Sequence, residues 1–181
     1  VLYFSENFFE LFGLPQDFSV DTDRLSERYH ALQQALHPDR FAAASDREKR
    51  LSMQASTRVN DAYRTLKDPL ARARYLFSLY TGRPVGESRA TRDTAFLMEQ
   101  MELREALFDV KTDPAPDVAV RSIMKRIASQ CEQLIAELSE RFESRGPLDL
   151  EAAEELTIKL QFLYKCQGEA ERIESDLDEA P

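Results

Sequence analysis

Apolar side chains recur along this chain at steps of three and four residues, the period of helices with one buried face. No stretch alternates with the period of two that a half-buried strand requires. Asn7-Phe8-Phe9-Glu10-Leu11-Phe12-Gly13 reads as a short first helix, closed by Gly13 and Pro15. Asp21 or Thr22 can cap a second, whose Leu25, Tyr29, Leu32 and Leu36 share one stripe. A third opens on the capping box Ser45-Asp46-Arg47-Glu48 and aligns Leu51, Ala55, Val59, Ala62, Tyr63 and Leu66. Two such helices joined by a short loop predict an antiparallel hairpin. Asp68-Pro69 supplies the cap and first-turn proline of a fourth, carrying Leu70, Ala73, Leu76, Phe77 and Tyr80.

Thr81-Gly82-Arg83-Pro84-Val85-Gly86-Glu87-Ser88 is the only stretch of the first half dense in glycine and proline, and reads as the linker. Beyond it the spacing predicts three more helices. The first covers roughly 93–110 and stops before Asp113-Pro114-Ala115-Pro116. The second carries Val120, Ile123, Ile127, Leu134, Leu138 and Phe142 and ends at Gly146-Pro147. The third runs from Asp149 to about Leu177 through Leu156, Leu160, Leu163, Ala170 and Ile173. Such stripes suit a three-helix bundle or an antiparallel coiled coil. The expected fold is all-α: a helical module over 1–80, a linker over 81–92 and a C-terminal three-helix bundle over 93–181.

The helix over 93–110 departs from the single-stripe pattern. At about 100° per residue, Phe96, Leu103 and Leu107 form one cluster, and Leu97, Met101 and Phe108 a second about 120° away, with Met98 and Glu105 beyond it. One apolar face buries a helix; two ask for a second neighbour. That neighbour is either a wide bundle core or a partner that docks on adaptable, methionine-containing side chains edged by Glu102, Glu105 and Asp109.

Composition narrows the function. With 43% hydrophobic and 31% charged residues, 5 Gly and 11 Phe, the 181-residue chain reads as a soluble helical protein. No run approaches the roughly 18 apolar residues of a membrane span, and Val1-Leu2-Tyr3-Phe4 does not resemble a signal peptide. The formal charge of −9 is unevenly placed. Residues 1–80 hold 11 acidic and 11 basic side chains, and residues 81–181 hold 22 and 13. This asymmetry predicts two modules with different partners and argues against nucleic acid. Cys131 and Cys166 lack CxxC partners and read as reduced, part-buried thiols of a cytoplasmic protein. No metal or cofactor site is expected.

The distinctive chemistry lies at Leu36-His37-Pro38-Asp39-Arg40-Phe41. Pro38 cannot continue the helix and pushes His37 toward an extended conformation, which displays the loop. Pro38 also pre-orders the turn for docking, Asp39 offers a carboxylate for bidentate pairing with a partner's arginine, and His37 offers donors or an acceptor. An acid–base enzyme built on His37 and Asp39 is disfavoured, because no nucleophile motif, metal cluster or phosphate loop accompanies them.

With its flanks included, this loop resembles that of a J-domain. Tyr29 and Leu36-His37-Pro38-Asp39-Arg40-Phe41, preceded by Phe12-Gly13-Leu14-Pro15, match the first arm of the helical hairpin and its HPD loop. Asn60-Asp61-Ala62-Tyr63-Arg64-Thr65-Leu66, Asp68-Pro69 and Arg72-Ala73-Arg74-Tyr75 match the second arm and the fourth helix. The resemblance implies that His37, Pro38 and Asp39 stimulate ATP hydrolysis by a DnaK-type chaperone, with Arg40, Arg24 and Arg28 steering its acidic surface. Ala31, Gln33 and Gln34 stand where lysine or arginine is common in J-domains, which leaves partner steering either weaker or dedicated, consistent with a specialised chaperone.

Arg92-Asp93-Thr94-Ala95-Phe96-Leu97-Met98-Glu99-Gln100-Met101-Glu102-Leu103-Arg104-Glu105 and Lys159-Leu160-Gln161-Phe162-Leu163 closely resemble segments of the C-terminal domain of the HscB family, J-protein co-chaperones of iron–sulfur cluster assembly. By that resemblance Leu97, Met98, Met101, Glu102, Glu105 and Phe162 contact the cluster scaffold IscU, which is presented to the chaperone HscA. Phe162 lies one position off its helix's stripe and is expected to be exposed. The cysteine-rich zinc extension of some, mainly eukaryotic, members is not found in this sequence, which points to the bacterial type. The resemblance implies an ATPase activator with no catalysis of its own. The alternative is a generic J-protein whose bundle binds other clients.

Overall fold

The computed structural model describes residues 7–41, 45–86 and 93–179. Among them the regular structure is helical throughout: α1 Phe8–Phe12, α2 Thr22–Ala35, α3 Asp46–Lys67, α4 Pro69–Thr81, α5 Thr94–Asp109, α6 Pro116–Ser144 and α7 Pro147–Asp178, with short 3-10 turns at Pro38–Phe41 and Val110–Thr112. The chain forms two compact units, Val1–Gly82 and Arg83–Pro181.

Local chemistry sets the ends of each helix. Asn7 and Glu10 form a capping box at α1, and Gly13 closes that helix with φ 61°, a conformation that spares a residue without Cβ the usual steric penalty. Asp21, rather than Thr22, caps α2 through the amides of Asp23 and Arg24. Ser45 and Glu48 close a capping box at α3. The Asp68 carboxylate accepts the Ala71 amide at 2.7 Å, one residue before the first-turn proline of α4. These are the signals visible in the sequence, used where they stand.

In the first unit α2 and α3 form the antiparallel hairpin, backed by α1 and α4. Phe9, Phe12, Phe18, Leu25, Leu66, Leu76 and Phe77 make its core. Tyr75 ties α4 to α1: its hydroxyl accepts the Phe8 amide at 2.9 Å and its ring stacks on Phe8 at 4.4 Å. One register differs from the sequence expectation. On α3 the buried stripe is Ser52, Ala55, Val59, Ala62 and Leu66, so Leu51 faces solvent and the polar Ser52 takes the core register. Arg72 is also interior; it donates to the Leu66 carbonyl at 2.6 Å and lies over the Phe18 ring at 4.9 Å. Both polar groups tolerate burial because each has a hydrogen-bond partner.

The second unit is built on the long α6–α7 pair. Val120, Ile127, Cys131, Leu138 and Phe142 from α6 meet Ala153, Leu156, Leu160, Leu163, Cys166 and Ala170 from α7, with heptad-like steps on both sides. Burial raises the Cys131 thiol to about 11, with Glu132 adding to the effect, and raises the Cys166 thiol as well. These thiols are therefore inert packing groups. Helix α5 packs Phe96, Leu103 and Leu107 against this pair.

The segment expected to be a linker is anchored in its described part. Glu154 is buried on α7; its carboxylate receives both terminal nitrogens of Arg83 at 2.8 Å and the Gly86 amide at 3.0 Å. A bidentate guanidinium and a backbone donor together offset the cost of burying the carboxylate. Val85, between them, is buried too. Residues 87–92 lie outside the described residues. Glu154→Ala should accelerate hydrogen exchange of the Gly86 amide while leaving α6 and α7 protected. Unchanged protection at Gly86 would show that the carboxylate does not hold this segment.

Candidate functional site

The loop between α2 and α3 is displayed by a firmly held frame. Helix α2 stops at Leu36, whose amide closes the last turn on Leu32, and the chain then makes the 3-10 turn over Pro38–Phe41. The Leu36 carbonyl, orphaned by the end of the helix, accepts the buried Ser52 hydroxyl of α3 at 3.1 Å. Deeper in the hairpin, Asn60 Oδ1 accepts both the Tyr29 hydroxyl at 3.0 Å and the Gln33 side-chain Nε2 at 2.5 Å. The Tyr29 and Tyr63 rings stack at 4.0 Å, and Ala62 is fully buried. The Asn60-Asp61-Ala62-Tyr63 segment is thus the brace that fixes the two arms of the hairpin.

Within the turn, the Arg40 amide donates to the His37 carbonyl at 3.0 Å, and the Asp39 amide to His37 Nδ1 at 3.3 Å. Asp39 Oδ2 lies 3.5 Å from the same ring nitrogen. A neutral imidazole protonated on Nε2 accepts from the Asp39 amide; an imidazolium instead points its Nδ1 proton toward the carboxylate. Either way the histidine steadies a carboxylate that remains in solvent, with side-chain exposures of 59% for His37 and 91% for Asp39. Arg40, Arg24 and Arg28 are all exposed. Beside the turn lies an open apolar cavity of about 300 Å³, lined in part by Leu36, Phe41, Ser52 and Met53. Two groups this open to solvent, on a turn already ordered by its own hydrogen bonds, suit recognition by another protein.

The second surface is on α5. Asp93 caps the helix through the Phe96 amide at 3.1 Å and pairs with Lys159 of α7 at 2.7 Å. Lys159 and that amide hold the Asp93 carboxyl below its usual range. With Phe96, Leu103 and Leu107 committed to the core, Leu97, Met98 and Met101 face solvent at 40%, 63% and 72% exposure. Glu102 and Glu105 are exposed beside them, and Glu102 approaches Arg126 of α6 at 3.8 Å. A wide bundle core is thereby excluded for this second apolar face. Phe162 differs from expectation: it is half-buried, edge-on to Phe96 at 6.0 Å between ring centroids, with the Arg104 guanidinium 5.3 Å above its ring. Its place next to the seam explains this, since one residue off a heptad stripe is a flank rather than an outer face.

Sequence reasoning overlooked Ser52 and Arg104. Ser52 carried a signal in its heptad register with Ala55, Val59, Ala62 and Leu66; Arg104 carried none, because its contact is made across two helices. Among the described residues, no group of three or more histidine, cysteine, aspartate or glutamate side chains is placed to hold a metal ion.

Comparison with known proteins agrees with these observations in both halves of the chain. The family model described as the HSCB C-terminal oligomerisation domain matches residues 92–171. The co-chaperone protein HscB homolog of Shewanella woodyi is 42% identical over 173 residues, which cover 96% of this chain and 99% of that protein. The Vibrio cholerae homolog is 40% identical over 171 residues, 94% of this chain and 98% of its own. Among solved structures, the chaperone HscB from Vibrio cholerae matches with a TM-score of 0.82 at 40% identity, covering 95% of this chain and 99% of that one. The human co-chaperone protein HscB matches with a TM-score of 0.83 at 31% identity, covering 96% and 83%. Shared sequence and shared architecture over nearly the full length, with an exposed His-Pro-Asp turn held by a braced hairpin, establish that this chain belongs to the HscB family of J-domain co-chaperones of iron–sulfur cluster assembly.

Proposed function

We propose that the first unit stimulates the ATPase of a specialised DnaK-type chaperone of the HscA kind, and that the second delivers the IscU cluster scaffold to it. The observation that carries the first half is the solvent-facing Asp39 carboxylate on a turn whose flanks are pinned by Ser52 and Asn60. Pre-ordering spares the entropy of fixing the loop on docking. The carboxylate then meets a guanidinium on the chaperone, Arg24, Arg28 and Arg40 steer approach to its acidic surface, and the apolar cavity beside Phe41 offers a non-polar seat next to the charge. Pro38 sets the turn. The chain itself carries out no covalent step.

The second half rests on Leu97, Met98 and Met101, which are exposed, with Glu102, Glu105 and the flank of Phe162 around them. Large apolar side chains left in water at one place mark a protein contact. The site of action is the cytoplasm, where buried reduced thiols such as Cys131 and Cys166 persist.

Asp39→Ala should reduce stimulation of the chaperone's steady-state ATP hydrolysis to the unstimulated rate while scaffold affinity stays as in the parent protein. Retained stimulation would remove Asp39 from this role. Leu97→Ala combined with Phe162→Ala should weaken scaffold binding about tenfold or more, the scale of interface hot spots, with helical circular dichroism preserved. Because Phe162 packs on Phe96, the pair should also lower stability by about 1–3 kcal/mol. Loss of helicity in step with loss of binding would instead make these residues core. Titration of the scaffold against an unfolded client as competitor separates this reading from a generic client-binding J-protein, in which the two compete equally.

A further inference from the structure

The exposed face of α5 is divided lengthwise. At about 100° per residue, Arg104, Leu97, Phe108 and Met101 fall within about 60° of one another. They occupy the flank toward α7, where Arg104 covers Phe162. Glu105, Met98, Asp109 and Glu102 take roughly the next 60°, on the flank toward α6, where Glu102 meets Arg126. One shoulder is therefore mainly apolar, and the other carries three carboxylates around Met98.

Phe108 stands at the C-terminal end of the apolar shoulder. It is 85% exposed, the highest value of any large apolar side chain among the described residues. From Leu97 to Phe108 the shoulder runs three turns, about 16 Å of helix axis. A phenyl ring held in water on a rigid helix, in line with Leu97 and Met101, has the composition and placement of an interface anchor.

We infer that Phe108 is a further docking residue for the scaffold, extending the contact from Leu97 along the whole length of α5. The inference rests on the scaffold-docking role proposed above. It also states the chemistry of the matching surface: an apolar ridge with basic side chains along one edge, facing Glu102, Glu105 and Asp109. Charge argues for such a partner over a second copy of this chain. Pairing two α5 helices antiparallel about their centres sets Glu102 and Glu105 against the same carboxylates of the other copy, on a chain whose formal net charge is already −9. A partner with a basic edge converts that repulsion into attraction.

The test uses the full chain and the purified apo form of the cognate scaffold in calorimetric titration. The variants are Phe108→Ala, Phe108→Asp and the reference pair Leu97→Ala with Met101→Ala. Phe108→Ala should weaken binding about tenfold, and Phe108→Asp further, both with unchanged helicity. If both Phe108 variants bind as the parent does while the reference pair is weakened, Phe108 is outside the contact and only this inference falls. If the reference pair also binds as the parent does, the docking role of α5 falls with it. Sedimentation velocity supplies the remaining outcome: a parent dimer that Phe108→Asp converts to monomer, with scaffold affinity per protomer unchanged, makes a second copy the occupant and overturns the inference.

Discussion

Close packing along one stripe per helix is the constraint on which both units depend. A helix that commits positions at steps of three and four to a seam has its outer face fixed by the same register. On α3 the seam takes Ser52, Ala55, Val59, Ala62 and Leu66; on α7 it takes Ala153, Leu156, Leu160, Leu163 and Ala170. The alanines let neighbouring backbones approach, so the frame is rigid enough to hold an irregular turn in the first unit and an unpartnered helix face in the second. Each candidate docking surface is what such a seam leaves outside. The His37-Pro38-Asp39 turn protrudes because α2 must stop where Pro38 stops it, and the Leu36 carbonyl freed there is caught by Ser52. Leu97 and Met101 protrude because Phe96, Leu103 and Leu107 already fill the seam with α6 and α7.

Much of the fold was legible in the sequence because its signals are local. Asp68-Pro69, Ser45 with Glu48 and Asn7 with Gly13 each mark a helix end through one or two hydrogen bonds made within a few residues. What could not be read depends on distant partners. Hydrophobicity alone favours Leu51 for the core, but the register selects Ser52, whose hydroxyl is satisfied by a carbonyl 16 residues away. Arg72 is buried where the Leu66 carbonyl and the Phe18 ring receive it, contacts that hydrophobic periodicity does not report. Glu154 gave no sign that it would hold Arg83 and Gly86, part of the stretch that composition marks as a linker. Composition reports chain flexibility in isolation; it does not report a buried carboxylate waiting for donors.

The candidate sites follow the same division. The His-Pro-Asp loop was legible as a displayed turn from proline stereochemistry alone, and its meaning came from the hairpin around it. The two apolar faces of α5 were visible as a pattern, but only packing distinguishes the face that is core from the face that is free. Phe162 shows the limit of stripe counting, since a position next to the seam is neither inside nor outside, and its ring is shared between Phe96 and Arg104. Charge separates the surfaces further. Basic residues flank the turn in an electrically balanced first unit, whereas the acidic side chains concentrate in the second, so a partner with an acidic surface and one with a basic edge are drawn to different parts of the chain.

Coupling of two partners by one chain is read most directly from ATP hydrolysis by the cognate chaperone titrated with this protein and with the scaffold, separately and together. Delivery through α5 with stimulation through Asp39 predicts that the combined rate exceeds the sum of the two separate effects, because scaffold docked on the bundle reaches the chaperone at raised effective concentration. A combined rate equal to that sum, over the full range of concentrations, would rule such coupling out.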